Sequence, residues 1–356
     1  MKVCIGLSGG VDSSVAAHLL LEKGYELIGC TMRTFDTERA EKEREDAEAV
    51  AESLGIPFYV VDYRERFKKD VIEYFAYEYT HGRTPNPCII CNRKVKWEAL
   101  MACAAEHGAE MVATGHYARI EKDAATGRYA VRKAVTAAKD QSYALYNLKQ
   151  EQLAATVFPV GGFSKDEIRS TAEKIGLFTA DKPDSQEICF IPDKDYAGFI
   201  SEQLKIKTDI LGNYVDEKGN ILGKHSGIVN YTIGQRKGLG IALGKRTFVK
   251  EIRPLTNEVV LADADSVWTD RLSFTDFNGQ LADEAMLKEG LAANVKIRYS
   301  DKGCEGLVKK RGDMPGGDKA IYDISFKSPV RAVTPGQAAV LYDSEGRILG
   351  GGIICS

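Results

Sequence analysis

Lys2-Val3-Cys4-Ile5-Gly6-Leu7-Ser8-Gly9-Gly10-Val11-Asp12-Ser13-Ser14-Val15-Ala16 decides the fold. Residues 2–7 form an apolar run of strand length. Residues 8–14 make a glycine turn flanked by serines, and over 13–23 the apolar Val15, Ala16, Leu19 and Leu20 recur at helical spacing. A strand feeding a glycine turn at a helix N-terminus is a phosphate site. Unpaired amides and the helix dipole favour an anion there, glycines admit its oxygens closely, and serine hydroxyls donate further bonds. The turn lacks the lysine that follows the second glycine of a mononucleotide P-loop, and its glycine spacing is not that of a dinucleotide turn.

Downstream, strand-like runs at 25–32, 57–61 and 111–113 alternate with helical patterns at 38–54, 93–107 and 165–175. Such alternation predicts a parallel α/β sheet. Past about residue 208 the texture changes to short β runs broken by turns such as Asp216-Glu217-Lys218-Gly219-Asn220, Asp301-Lys302-Gly303 and Asp343-Ser344-Glu345-Gly346. Small β-barrels fit it. We expect a catalytic α/β domain over 1–197, a central β domain over 198–266 and a C-terminal β-barrel over 267–356. There is no internal repeat and no low-complexity segment.

Composition narrows the class. At 356 residues, 44% of them hydrophobic, the chain exceeds what one core usually supports. Lys+Arg total 48 against 51 Asp+Glu, so no global positive field draws in a polyanion and any nucleic acid must meet local basic patches. Eight cysteines spread through a chain of this length do not read as a secreted disulfide framework, and a reducing, cytoplasmic setting is expected. The first residues enter a strand directly, leaving no room for a signal peptide, and no apolar run nears the roughly 20 residues that span a bilayer.

Two cysteine islands stand out. Thr84-Pro85-Asn86-Pro87-Cys88-Ile89-Ile90-Cys91-Asn92 sets two prolines before two cysteines and leads toward Lys94 and Lys96. The prolines predict an extended, shaped loop, and nearby cations with a helix start would favour the Cys91 thiolate. Asp184-Ser185-Gln186-Glu187-Ile188-Cys189-Phe190-Ile191-Pro192 carries a third cysteine, which alone reads as a buried small hydrophobe. Cys88 and Cys91 also suit half of a zinc site, but no second C-x-x-C follows.

The Ser8 to Ser13 loop resembles the pyrophosphate loop of the ATP pyrophosphatase superfamily, and both islands resemble motifs of the bacterial tRNA-specific 2-thiouridylase family (MnmA), along essentially the whole chain. The resemblance implies an N-terminal nucleotide α-hydrolase-like domain and two β domains that help grip tRNA. It implies ATP contacts at Gly6, Leu7, Ser8, Gly9, Gly10, Val11, Asp12, Ser13, Met32 and Gly115, with Asp12 helping to hold Mg2+. Cys91 would be the nucleophile and Cys189 the persulfide carrier, the two forming a transient disulfide. Asn86, Pro87 and Cys88 would meet the target base, and Lys139, Asp140, Gln141, Arg298 and Tyr299 the tRNA. The implied substrate is the wobble uridine of tRNAs for Lys, Glu and Gln. A cysteine desulfurase or sulfur-relay protein would load a monomeric enzyme.

Alternatives remain at this level. Cys88, Cys91 and Cys189 could hold an iron–sulfur cluster with one open iron. Lys139 to Tyr143 could be the capped start of an apolar helix. Arg236-Lys237 and Lys309-Lys310-Arg311 read as solvated cations, Gly238-Leu239-Gly240 as a β turn, and His116 as a structural histidine. A ligase for a small molecule, with incidental cysteines, and a non-catalytic RNA-binding or sulfur-carrier protein are the rival functions.

Overall fold

The computed structural model describes residues 1–180, 182, 188–191, 193, 195–313 and 319–356. Two compact units divide it. The first comprises Met1–Val71, Cys88–Gln186 and Asp343–Leu349, and the second Ile72–Pro87, Glu187–Tyr342 and Gly350–Ser356.

The first unit is built on a parallel sheet of Lys2–Gly6 (β1), Glu26–Arg33 (β2), Phe58–Asp62 (β3), Met111–Ala113 (β4) and, beyond an antiparallel hairpin of Ala118–Lys122 (β5) and Tyr129–Lys133 (β6), Thr156–Val157 (β7). Its order is β3-β2-β1-β4-β7. β1, the central strand, pairs Cys4 with Ile28 and with Val112. Because side chains alternate along a strand, Val3, Ile5 and Leu7 pack with Val11–Glu22 (α1), Glu38–Leu54 (α2) and the helix Lys165–Lys174. Cys4 and Gly6 face the other way, where a β-carbon on Gly6 would lie 3.3 Å from Leu100 of the helix Trp97–Glu106. α1 is apolar around most of its circumference, with Val15, Ala16 and Ala17 fully buried, as a helix between sheet and neighbouring helices must be. α2 shows the opposite composition. Only Ala47, Val50 and Ala51 are buried, while Arg44 and Glu48 pair across its solvated face.

In the second unit Gly212–Val215 (β8), Ile221–His225 (β9), Phe248–Arg253 (β10) and Glu258–Ala262 (β11) form an open four-stranded sheet, order β10-β11-β8-β9. The barrel reading therefore holds for the last part alone, where Trp268–Gly279 (β12), Leu291–Lys296 (β13), Cys304–Asp313 (β14), Ala320–Arg331 (β15), Ala338–Tyr342 (β16) and Ile348–Ile354 (β17) close into a six-stranded barrel. Sequence periodicity missed two helices of this unit, Glu73–Thr80 and Tyr196–Leu204. They bury Phe75, Ala76, Tyr79 and Ile200 against Ile191 and Val229. Among the described residues no helix is long and apolar enough to cross a membrane.

Candidate active site

The phosphate loop takes the form its residues dictate. Leu7 N–H still donates to Cys30 O of β2 at 2.9 Å, and the chain then turns through Gly9 at φ +68°. Only glycine fits at residue 9, since a β-carbon would come within 2.6 Å of Glu43 O and 2.8 Å of Asp46 Cβ. Gly10 caps α1 without a side chain, leaving the helix N-terminus open toward the loop. Ser13 Oγ accepts from Ser8 N–H at 3.2 Å and donates to Gly10 O at 3.1 Å, so the loop is braced from within.

Three residues that sequence reading passed over surround this loop. Lys165 Nζ donates to both Asp12 carboxylate oxygens, at 2.8 and 2.9 Å, and Tyr117 Oη–H donates to Asp12 Oδ1 at 2.7 Å. Lys182 Nζ donates to Gly9 O at 3.0 Å and also pairs with Asp46. Two lysines from distant points of the chain thus reach a loop that has none of its own. Ser164-Lys165-Asp166-Glu167 did carry one signal, a capping box, but nothing in it marks Lys165 as more than a first-turn cation.

Gly115 seats the next segment on the loop. A β-carbon there would lie 2.6 Å from Ser13 N and 2.7 Å from the Asp12 carbonyl carbon, so the turn after β4 rests on the first turn of α1. Met32, half-buried, follows at the carboxyl end of β2, opposite Val61. His116 comes after Gly115. Thr114 Oγ1 lies 2.7 Å from its Nδ1 and Lys96 Nζ 3.5 Å from its Nε2. Since an ammonium only donates, Nε2 accepts and Nδ1–H points to Thr114. Burial, with the Lys96 charge, holds this imidazole well below its ordinary pKa and hence neutral.

The first cysteine island departs from expectation. Asn86, half-buried, precedes a helix over Pro87–Cys91, with Pro87 at the position where its fixed φ and missing N–H suit a helix start. Residues 83–86, before the cysteines, belong to no helix, while the cysteines themselves sit on a helical turn. A π-turn, Asn92–Lys96, continues it into Trp97–Glu106. The wider turn frees Arg93 O, which accepts from Gln152 Nε2 at 3.1 Å, while Asn92 Nδ2 donates to Ala144 O at 3.0 Å. Cys88 is exposed and Cys91 half-exposed. The expected thiolate is corrected. Packing around the Cys91 thiol pushes it up to about 11, and Lys96 opposes this without overcoming it.

Of the proposed RNA contacts in the first unit, Lys139 is half-buried, whereas Asp140 is buried. Asp140 Oδ1 accepts from Ala134 N–H at 3.0 Å and its Oδ2 from Ser142 Oγ at 2.8 Å. Gln141 Oε1 accepts from Tyr117 N–H at 2.8 Å. No long helix follows; Ser142–Leu145 is a single 3-10 turn, because Tyr143 and Leu145 bury themselves at once.

In the second unit Cys189 is exposed between Ile188 and Phe190, both packed on the cluster around Phe75 and Tyr196. The island's residues 184–187 and 192 lie outside the described residues. Arg298 donates to Arg331 O and lies 3.4 Å from Ala332 O, and Tyr299 is exposed. Gln337, which sequence reading missed, donates from Nε2 to Thr84 O at 2.7 Å, and Thr84 N–H donates to Pro335 O at 2.8 Å.

A second trio of cysteines is brought together where the sequence reading proposed none. The sulfurs of Cys4, Cys30 and Cys103 lie within 4.8 Å of one another, all buried. A hydrogen bond with Cys30 and burial push the Cys103 thiol far up, so it stays a neutral core thiol.

Residues 1–193 match the family described as tRNA methyl transferase HUP domain, 198–263 its PRC-barrel domain, and 270–354 an aminomethyltransferase beta-barrel domain. A tRNA-specific 2-thiouridylase MnmA of Lachnoclostridium phytofermentans is 51% identical over 99% of both chains. One of Clostridioides difficile is 48% identical over 99% of this chain and 98% of its own. The solved U34-tRNA thiolase NcsA of Methanococcus maripaludis overlays with a TM-score of 0.35 at 22% identity, over 59% of this chain and 64% of that one, too slight to bear on chemistry. Identity near one half, sustained from end to end against relatives of equal length, leaves one assignment: the chain belongs to the tRNA-specific 2-thiouridylase family.

Proposed function

We propose that the protein uses ATP to activate the wobble uridine of tRNAs for Lys, Glu and Gln and replaces its 2-oxygen with sulfur. One observation carries this reading. Gly115 and His116, adjacent in sequence, touch respectively the first turn of α1 and Lys96, so one short segment links a phosphate loop to a cysteine-bearing helix. A methyl transfer, as the names of the matched domains suggest, has no use for an adenylating loop joined to thiols.

In the proposed sequence the uracil O2 attacks the α-phosphorus of ATP and pyrophosphate leaves, its charge met by the α1 amides, Lys165 and Lys182. A carboxylate on the first turn of α1 suits a hard cation, so Asp12 would take part in holding Mg2+, whose role is to screen the triphosphate. The terminal sulfur of a Cys189 persulfide attacks C2, and AMP departs with the oxygen. Cys91 then gives up its thiol proton to solvent as it attacks Cys189 Sγ. The S–S bond breaks, its electron pair stays on the sulfur bound to C2, and a Cys91–Cys189 disulfide remains for an external thiol to reduce. Cys88 and Cys91, three residues apart on one helix, are also donors of the type an iron–sulfur cluster takes, but Cys189 belongs to the other unit and no step above uses a cluster.

The division at 1–197, 198–266 and 267–356, a monomeric cytoplasmic enzyme, and loading by a cysteine desulfurase or sulfur-relay protein belong to the same proposal. It is tested by nucleoside mass spectrometry of unmodified tRNA-Lys incubated with the protein, ATP-Mg, a cysteine desulfurase with cysteine as the persulfide donor, and a thiol reductant. The reading requires 2-thiouridine that depends on ATP and is lost in Cys91→Ser and Cys189→Ser. Unthiolated tRNA, with AMP formed from a small substrate, replaces it with the ligase reading.

A further inference from the structure

The central sheet carries a cationic cleft that neither the phosphate loop nor the cysteines use. A cavity of about 470 Å3 is lined by Arg236, Leu239, Ile241, Leu243, Lys245 and Arg246, among others. The loop that forms it is braced at three points. Gly234 N–H donates to Val249 O at 2.8 Å and Val249 N–H to Gln235 O at 2.9 Å, tying its start to β10. Midway, Tyr214 Oη–H donates to Leu239 O at 2.6 Å, with Leu239 buried among Tyr214, Val249 and Leu261. At its far end Thr247 Oγ1 donates to Lys245 O at 3.2 Å.

The cations therefore stand on a held frame. Arg236 and Lys237 are exposed on the incoming limb and Lys245 and Arg246 on the outgoing one. Lys245 pairs with Asp263 at 2.8 Å, but among the described residues Arg236, Lys237 and Arg246 meet no carboxylate. In a chain of formal charge −3, Arg236 and Arg246 thus line one cleft from its two limbs with no carboxylate against either among the described residues. A purely apolar ligand would leave them unanswered. A folded protein partner would need an acidic projection that fits between two basic limbs. A nucleic-acid strand answers both features, placing successive phosphates against the limbs and a ribose or base edge on Ile241 and Leu243.

We propose that this cleft of the central domain holds the sugar-phosphate backbone of the tRNA substrate, with Arg236 and Arg246 as its phosphate contacts. The proposal rests on the thiouridylase reading and extends it to a binding element remote in sequence from both cysteine islands. Phosphate contacts position without reading bases, so their loss weakens every tRNA alike.

The test is fluorescence anisotropy of labelled tRNA-Lys transcript with the full-length protein, wild type against Arg236→Gln/Arg246→Gln, across a salt series. We expect the double variant to bind about tenfold or more weakly and the slope of log Kd against log salt to fall by about 2, roughly 1 per lost contact. Unchanged affinity and slope in a variant that melts like wild type would overturn the cleft. So would loss of binding to inorganic pyrophosphate with tRNA affinity intact, which makes the cleft a small-anion site. If wild-type protein itself fails to bind tRNA, the thiouridylase reading falls, a result distinct from failure of the cleft alone.

Discussion

Lys96 is the residue through which the charge of the site is distributed. Its ammonium faces neutral His116 and works against the upward push on the Cys91 thiol, five residues before it across the π-turn. Replacing it with methionine removes a charge that opposes the desolvation of Cys91, so the thiol rises beyond about 11. Alkylation of Cys91 by iodoacetamide at fixed pH below that value should slow about tenfold per unit of rise, measured as a rate–pH profile in a background lacking the other accessible cysteines. An unchanged profile would remove Lys96 from thiol activation. Gly115→Ala belongs to the same scale. Its added methyl would collide with Ser13 N and Asp12 C, and overpacking of this sort costs about 1–3 kcal/mol. Denaturant melts should show that loss and calorimetry a weakened ATP affinity, whereas native stability with native affinity would mean that the turn does not rest on the loop. These contacts were legible to different degrees. The loop residues and both cysteine islands were visible because their types and spacing carry chemistry locally. Lys165, Lys182 and Gln337 were not, because each acts through a neighbour far away in sequence and sits in a stretch of ordinary composition.

Among the elements, the parallel sheet and α2 could be read directly, since buried strands are short apolar runs and a solvated helix has a clear polar face. The helix Pro87–Cys91 could not. X-Pro favours extended backbone for the residue before it, yet the same proline opens a helix when it occupies the first position, and two prolines in four residues support both readings. The 3-10 turn at Ser142–Leu145 was misjudged for a related reason, an apolar run too short to show its period. The helix Lys165–Lys174 offers a test of how an element serves the loop. Ser164 Oγ accepts from Glu167 N–H at 3.3 Å while Glu167 Oε2 accepts from Ser164 N–H at 2.7 Å, a reciprocal cap one residue from the lysine that holds Asp12. Ser164→Ala should cost about 1 kcal/mol, read as a lower melting temperature, and should raise the KM for ATP more than that for tRNA. Equal effects on both would mean that the helix stabilises the fold without positioning Lys165.

At the scale of the whole molecule, half-buried His116 couples stability to pH. Its folded-state pKa lies well below the ordinary 6.5, so below pH 6.5 the unfolded chain takes up a proton that the folded one refuses. Stability should then fall with acidification by as much as about 1.4 kcal/mol per pH unit, until the folded pKa is reached. Urea melts between pH 7.5 and 5 should show this slope in wild type and a shallower one in His116→Gln; identical slopes would place the acid sensitivity elsewhere. The two β assemblies were foreseen as a change of texture, but closure of one and openness of the other depend on which strands find each other, which no local pattern records. The Cys4, Cys30 and Cys103 trio has a practical consequence of its own. Of the eight cysteines, these three lie in the core while Cys88, Cys91, Cys189, Cys304 and Cys355 reach solvent to some degree. A thiol-reactive dye applied to the native protein should stain at most five sulfhydryls and register the remaining three only after denaturant is added, so the molecule supplies an internal count against which occupancy of the sulfur-carrying positions can be scored.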